Sequence, residues 1–467
     1  MTEPLPDCLA ASPLLGQVAK LSRAELESLQ LRRLHEQLER LSANSAYYRE
    51  RLQAAKFSNG LPRSLSEYAD RFPTSNKADF LSDQEAHPAF GQRLGIAREQ
   101  VALVNLTGGT SGQGQEIYGR SQRDVHLQGY LHALPWFMAG LRPGDVAMNC
   151  VPAGGMTTGG WGPGEGLRIV GATAFHVGGN LSTDAALDLM NRIGGANFIY
   201  ASTNYLHTLT QAMAKRGLEP RDIFPNIRTL FIAAEGYPVE WAQAIRERWG
   251  AALHEGYGST QLAGFGGATL GDGVVTRAGG RGPIRLFEWE HIVEILDPVT
   301  LQPVAPGEVG EMVVTNLTVE GSPVIRFRTG DAARFIPWQE AGGPAWNGIE
   351  SGTIGRFDDM MKIRGNNVWP SAIDAAVFAC PEVEEYAGRV YTSAAGKTEI
   401  EVRVALTSAC AGLAGEAREA VLQRVRSAIK ARTNVYMDIV ETARSELPQF
   451  AYKARRWKDE RQQGYRL

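Results

Sequence analysis

Leu106-Thr107-Gly108-Gly109-Thr110-Ser111-Gly112-Gln113-Gly114-Gln115-Glu116 is built almost entirely of Gly, Thr, Ser and Gln. It follows an apolar run, Val101 to Asn105, that reads as a buried strand. Glycines let a backbone turn its N–H groups inward and come close to a ligand, and hydroxyls add further donors. That is the chemistry of a phosphate cradle. The spacing from Gly109 reaches Gly114, but Gln115 and Glu116 stand where a Walker loop needs Lys and Ser or Thr. Taken alone, the stretch reads equally as a Gly-rich turn between strands.

Downstream of this loop, strand-like and helix-like segments alternate. Asp145–Val151, Asn197–Ser202, Thr229–Ala234 and Ala252–Tyr257 read as strands. Asp124 to Gly140 reads as a helix interrupted at Pro135, and helices are expected from Ser182 through Ile193, over Tyr205–Arg216 and over Val239–Trp249. Gly154–Gly166 reads as a loop. Such alternation predicts a mostly parallel sheet covered by helices on both faces. After about residue 280 the pattern turns to strands separated by prolines, His291–Leu296 and Glu308–Thr315, which predicts a β-rich subdomain. Another change near Gly355 opens a tail with one strand (Glu399–Leu406) and one long helix (Glu416–Ala431), enough for a small α+β domain. The expected fold class is therefore α/β, with a large N-terminal domain over 1–356 and a small mobile C-terminal domain over 357–467.

Upstream, Ser22 and Glu25 have the spacing of a capping box, and Leu34, Leu38 and Leu41 recur at helical spacing. A second helix is expected after Asn44. Phe72 to Lys77 reads as a loop entering another helix, with Thr74 or Ser75 as its cap.

Bulk composition bounds the function. A chain of 467 residues is too long for one small core. Its 43% apolar and 21% charged content is that of a globular protein, and its 52 glycines suggest many tight loops. A net charge of −3 gives no general attraction to nucleic acid or to anionic membranes. Cys8, Cys150, Cys380 and Cys410 form no CxxC pair, so reduced thiols and a cytoplasmic location are expected. No signal peptide and no apolar run of the ~18 residues of a membrane span is read.

Further stretches carry possible chemistry. They are Glu255-Gly256-Tyr257-Gly258-Ser259-Thr260-Gln261, Arg326-Phe327-Arg328-Thr329-Gly330-Asp331, Gly355 to Gly365, and Leu447-Pro448-Gln449-Phe450-Ala451-Tyr452-Lys453. Each has a bland alternative: a turn, a strand edge or a solvated basic tail. Taken with the Gly-rich loop, in this order and at these separations, they resemble the adenylate-forming (acyl-CoA ligase, AMP-binding) superfamily. Within it the chain is most similar to the phenylacetate–CoA ligase branch. Three segments carry that likeness: Ser45-Ala46-Tyr47-Tyr48-Arg49-Glu50, Pro73-Thr74-Ser75-Asn76-Lys77-Ala78-Asp79-Phe80 and Ala233-Ala234-Glu235-Gly236.

The resemblance implies an acid–thiol ligase working in two half-reactions. A carboxylate attacks the α-phosphate of ATP, and a thiol then displaces AMP from the acyl-adenylate. It implies ATP, Mg²⁺ and coenzyme A as partners, with an aromatic acid as substrate and a homodimer as the favoured assembly. By resemblance, Thr107, Gly108, Gly109, Thr110, Ser111 and Gly112 hold the β- and γ-phosphates. Tyr257 and Gly258 meet adenine, Glu235 lies close to the nucleotide, and Asp331 and Arg356 reach the ribose. Thr260 contacts the α-phosphate, and Lys453 bridges the acid and that phosphate. Asp358 is the hinge about which the small domain turns. Lys362 then faces the site, and Gly365 leaves room for the pantetheine arm.

Gln261 stands where the superfamily usually has a Glu that helps bind Mg²⁺; an amide oxygen is a hard ligand without charge, so weaker metal binding is expected. Tyr452 stands in place of a usual Gly. An acid pocket is expected around Phe137, Trp161 and Tyr205, with core packing of the aromatics as the alternative. Arg444, Arg455, Arg456, Lys458 and Arg461 read either as a surface for the CoA phosphates or as solvated side chains. Two alternatives to a CoA ligase stay open: delivery of the acyl group to a carrier protein or amine, and non-catalytic nucleotide binding.

Overall fold

The computed structural model describes residues 7–10, 12–107, 114–233, 236–357, 361–363, 366–392, 398–448 and 456–460. They divide into two compact units, Met1–Ala234 with Arg246–Ile354, and Glu235–Ile245 with Gly355–Leu467. No helix among the described residues is long and apolar enough to cross a membrane.

The first long helix of the larger unit runs from Arg23 to Asn44, capped by Ser22 in the expected capping box with Glu25. Its apolar stripe buries Leu34, Leu38 and Leu41 against Tyr48, Tyr68, Phe72 and Phe327 in one core. Tyr48 finishes the contact by donating its hydroxyl to the Pro323 carbonyl at 2.8 Å. A later cap differs from expectation. Asn76, rather than Thr74 or Ser75, caps the Lys77–Ala86 helix, because the Asp79 carboxylate answers it in a reciprocal capping box.

The Gly-rich loop rises from a two-stranded antiparallel hairpin, β1 (Leu103–Leu106) and β2 (Ile117–Arg120). β1 is half-buried rather than the buried strand expected, since it pairs only with β2 and covers one face.

Eleven further strands of the larger unit belong to the main sheet. In chain order they are β3 (Val146–Asn149), β4 (Thr173–His176), β5 (Phe198–Ser202), β6 (Thr229–Ala233) and β7 (Ala252–Ser259). Then come β8 (Gly264–Thr269), β9 (Pro283–Leu286), β10 (His291–Leu296), β11 (Val309–Asn316), β12 (Phe327–Ile336) and β13 (Gly348–Glu350). Their spatial order is β10-β11-β12-β13-β9-β8-β7-β6-β5-β3-β4. From β4 to β7 all neighbours are parallel; from β7 to β10 all are antiparallel. The β-rich part is thus a continuation of the parallel half by hydrogen bonding, and the pairing changes from parallel to antiparallel at β7.

Two helical readings are corrected. The Gln122–Met138 helix runs through Pro135 without a break. The proline sits in its last turn, where losing one backbone donor interrupts little. Thr158–Val170, read as a loop from its glycines, is a helix. A Cβ added at Gly162 would lie 2.1 Å from the His132 ring, and one at Gly166 would lie 2.8 Å from the His132 carbonyl carbon. The glycines are there for close packing against the Gln122–Met138 helix, and their helix-breaking tendency is overridden by that contact.

The smaller unit contains a four-stranded sheet. Its order is Asp438–Glu441, Thr398–Leu406, Val383–Thr392, Trp457–Asp459. Ile373 of the Pro370–Val377 helix and Val425 and Ile429 of the Gly415–Thr433 helix pack on it with Tyr386, Val390 and Val402. Arg456 is spent inside this unit, 2.7 Å from Glu385 and 3.6 Å from Asp374, so it is neither a solvated side chain nor free for a phosphate.

Candidate active site

The start of β12, Phe327 to Asp331, shows how one local sequence presents one carboxylate. Arg328 pairs with Glu311 at 2.7 Å, and Gly330, at φ 73°, donates its N–H to the same Glu311 at 3.2 Å. Thr329 donates its hydroxyl to the Met312 carbonyl at 2.8 Å and accepts from the Asp331 N–H at 3.0 Å. These bonds tie the start of β12 to β11 and leave the Asp331 side chain half-buried.

Tyr257 meets Asp331 there. It is 7% exposed on β7, and its hydroxyl donates to the Asp331 carboxylate at 2.7 Å. The hairpin beyond it is held tight by small residues. A Cβ on Gly256 would lie 2.5 Å from the Phe265 ring, and one on Gly258 2.6 Å from the Gly264 carbonyl oxygen. Ser259 closes the turn by accepting from the Leu262 N–H at 3.3 Å, which leaves Thr260 and Gln261 half-buried at its tip.

That tip is joined to the base of the Gly-rich loop. Thr107 and Glu116 pair across the mouth of the loop. The Thr107 N–H donates to the Glu116 carbonyl at 3.1 Å, and the Glu116 N–H to the Thr107 hydroxyl at 3.0 Å. Gln115 donates to the Thr107 carbonyl at 2.8 Å. The Gln261 amide nitrogen then lies 3.1 and 3.4 Å from the two carboxylate oxygens of Glu116. Arg120, fully buried, donates to the Thr260 carbonyl at 2.5 Å and to the Ser322 carbonyl at 3.3 Å.

In the larger unit Tyr257 is thus bonded to Asp331, Gln261 is linked to Thr107 through Glu116, and Gly258 and Thr260 lie between them on the segment that carries Tyr257 and Gln261. Arg356 belongs to the smaller unit, in the short Gly355–Arg356 strand. Lys362 lies in the Met361–Ile363 strand, which pairs with Asn366–Val368. Gly108, Gly109, Thr110, Ser111, Gly112, Glu235, Asp358, Gly365 and Lys453 lie outside the described residues. Phe137, Trp161 and Tyr205 are each half-buried, and among the described residues no ring contact joins them. Their neighbour Trp136 is fully buried among Phe198, Tyr200, Phe231 and Phe265 and serves the core. Burial pushes the Tyr205 hydroxyl up to about 12, where it stays neutral.

Glu116, Tyr118 and Arg120 were not singled out as site residues. Their signal was available: they alternate, so a strand places all three on one face. They are 1%, 0% and 0% exposed. A buried charge on β2, Arg120, and another just before it, Glu116, mark a polar network rather than a core.

The AMP-binding enzyme family model matches residues 28–320, and that of the AMP-binding enzyme C-terminal domain matches residues 365–461. A phenylacetate-coenzyme A ligase of Thermus thermophilus is 30% identical over 369 residues, 79% of this chain and 78% of that one. One of Escherichia coli (strain K12) is 27% identical over 442 residues, 94% of this chain and 96% of its own. Among solved structures, a 2-hydroxyisobutyryl-CoA ligase in the postadenylation state superposes with a TM-score of 0.83 at 23% identity. It covers 95% of this chain and 91% of that one, a likeness of fold.

Proposed function

The chain belongs to the AMP-binding enzyme family, and on that premise we propose that it joins an aromatic (aryl or arylacetic) carboxylic acid to coenzyme A. In the first half-reaction a carboxylate oxygen attacks the α-phosphorus of ATP. The bond to the bridging oxygen breaks, and pyrophosphate leaves. In the second, the thiol sulfur of coenzyme A attacks the acyl carbon and AMP leaves with the electron pair of its bond to that carbon.

An anion approaching a polyanion needs preorganised donors. The Gly-rich loop from Thr107 to Gly112 would supply N–H groups to the β- and γ-phosphates, and Thr260 a hydroxyl to the α-phosphate. Asp331 would accept from the ribose hydroxyls, a role for an acceptor-only group. Tyr257 fixes that carboxylate through its hydroxyl while its ring face meets adenine. Gly258, Glu235 and Arg356 complete the nucleotide contacts. Lys453 would bring a mobile ammonium to the reacting oxygens for the first half-reaction only. Asp358 is the hinge, and Lys362 and Gly365 serve the thiol step. Phe137, Trp161 and Tyr205 would border the acid.

Mg²⁺ fits the donors at the tip of the hairpin. Gln261 offers a carbonyl oxygen and Thr260 a hydroxyl, both hard ligands. Among the described residues no cluster of three or more His, Cys, Asp or Glu could hold a metal on its own. That suits an ion held largely by nucleotide phosphates and water. When bound, Mg²⁺ neutralises phosphate charge.

The observation that carries this reading is the junction at β7. Tyr257 is bonded to Asp331 at 2.7 Å, and Gln261, on the same segment, reaches the base of the Gly-rich loop at 3.1 Å. Exchange of labelled pyrophosphate into ATP, with aryl and arylacetic acids and no coenzyme A, tests it. Acid-dependent exchange is expected. Its absence with every acid would leave a nucleotide-binding protein without ligase chemistry.

A further inference from the structure

Glu116 is 1% exposed, yet its carboxylate has no ion pair among the described residues. It accepts from the Tyr118 hydroxyl at 2.8 Å and from the Gln261 amide nitrogen at 3.1 and 3.4 Å. A carboxylate can only accept, so the NH₂ end of Gln261 must be the end that faces it. The carbonyl oxygen of Gln261 then points the other way. It takes no hydrogen bond from a described residue and is not among the buried unpartnered atoms, so it remains open to a ligand.

We propose that Glu116 and Gln261 act as one unit, in which Glu116 carries the negative charge and holds the Gln261 amide so that its carbonyl oxygen faces the magnesium–nucleotide. Glu116 is a positioning residue here, and Gln261 the ligand. The inference rests on the nucleotide-dependent reading above.

The pairing explains the amide at position 261. A second carboxylate there would stand about 3 Å from Glu116 in a site from which Glu116 is excluded from water. Two carboxylates so placed would repel, and neither could donate the hydrogen bond that the Gln261 amide now donates. The unit therefore holds a single charge, placed one side chain back from the ligand. Gln261 is thus a relocation of the charge from position 261 to position 116, in place of the plain loss of metal affinity expected from the amide alone.

The consequence is a charge-swap pattern that a merely structural contact would not give. Glu116→Gln, Gln261→Glu and the double variant Glu116→Gln/Gln261→Glu are compared by calorimetric titration of the full chain with ATP, with and without Mg²⁺. Glu116→Gln removes the charge and replaces a charge-assisted hydrogen bond with a neutral one, and Gln261→Glu opposes two carboxylates. A lost hydrogen bond to a charged group corresponds to about tenfold or more in affinity, so the gain in ATP affinity from Mg²⁺ is expected to fall by about that factor in each. The double variant keeps one donor, one acceptor and one charge, and is expected to recover the wild-type gain to within about threefold. A Gln261→Glu protein that gains as much from Mg²⁺ as the wild type, or more, would overturn the unit. So would a double variant no better than the singles. If Glu116→Gln fails to fold, those two variants still decide. A wild-type protein that binds ATP equally with and without Mg²⁺ would instead overturn the underlying reading, and the unit with it.

Discussion

The Tyr257 hydroxyl donates to the Asp331 carboxylate across 2.7 Å, joining residues 74 positions apart in the chain. The bond connects β7, where the sheet changes from parallel to antiparallel, with β12. It holds one oxygen of the Asp331 carboxylate. Tyr257→Phe keeps the ring and removes the bond. A hydrogen bond to a charged group contributes about 1.5–3 kcal/mol, so KM for ATP should rise at least about tenfold with kcat nearly unchanged. Steady-state kinetics would show this, and an unaltered KM would remove Tyr257 from the nucleotide site.

Lys453→Ala separates the half-reactions. Formation of acyl-adenylate should be lost, by about 100-fold or more if the ammonium acts as an electrostatic stabiliser of the transition state. Thioester formation from added acyl-adenylate and coenzyme A should be largely spared. Equal loss in both, in single-turnover assays, would contradict a lysine needed only for the first step.

The Gly-rich helix Thr158–Val170 makes a contrast available within one element. At Gly166 a Cβ would meet the His132 backbone and the Trp136 ring nitrogen at 2.8 Å, and neither can move aside. Gly166→Ala should therefore destabilise by about 1–3 kcal/mol. At Gly159 nothing lies within 4 Å, and Gly159→Ala should stabilise by up to about 1 kcal/mol through helix propensity. Urea unfolding of both variants checks the pair; equal effects would mean that the glycines do not serve helix contact.

How much of this was legible in the sequence depended on whether a segment's reading was local. The Ser22–Glu25 cap, the Leu34, Leu38 and Leu41 stripe and the Val239–Trp249 helix follow from period and capping, and the fold has them. The Thr158–Val170 helix was hidden because glycine argues against helix locally. Only the neighbouring His132 and Trp136 show why it is tolerated. Asp331, Tyr257 and Gln261 were legible through motif resemblance. Glu116 was in view inside the quoted loop but read only as a missing Walker residue. Its partner Gln261 lies 145 positions away, a pairing that no window of sequence displays.

Acid should weaken the fold through buried imidazoles. His132, His254 and His291 are pushed down by burial to about 4, about 4 and about 3 from an ordinary 6.5. The unfolded chain thus binds more protons than the folded one below that ordinary value. Stability is fully present above pH 6.5 and is lost as pH falls towards 4, by of order 3 kcal/mol for each ring. Thermal midpoints measured down a pH series should decline through this window with net proton uptake on unfolding. A flat profile would mean that these rings are hydrated.

Most direct is the release of AMP from ATP and Mg²⁺ with a panel of aryl, arylacetic and fatty acids, each with and without coenzyme A. Turnover that requires coenzyme A and favours aromatic acids is the expected result. AMP formation indifferent to coenzyme A would move the acyl acceptor to a carrier protein or amine, and no AMP with any acid would contradict the ligase reading altogether.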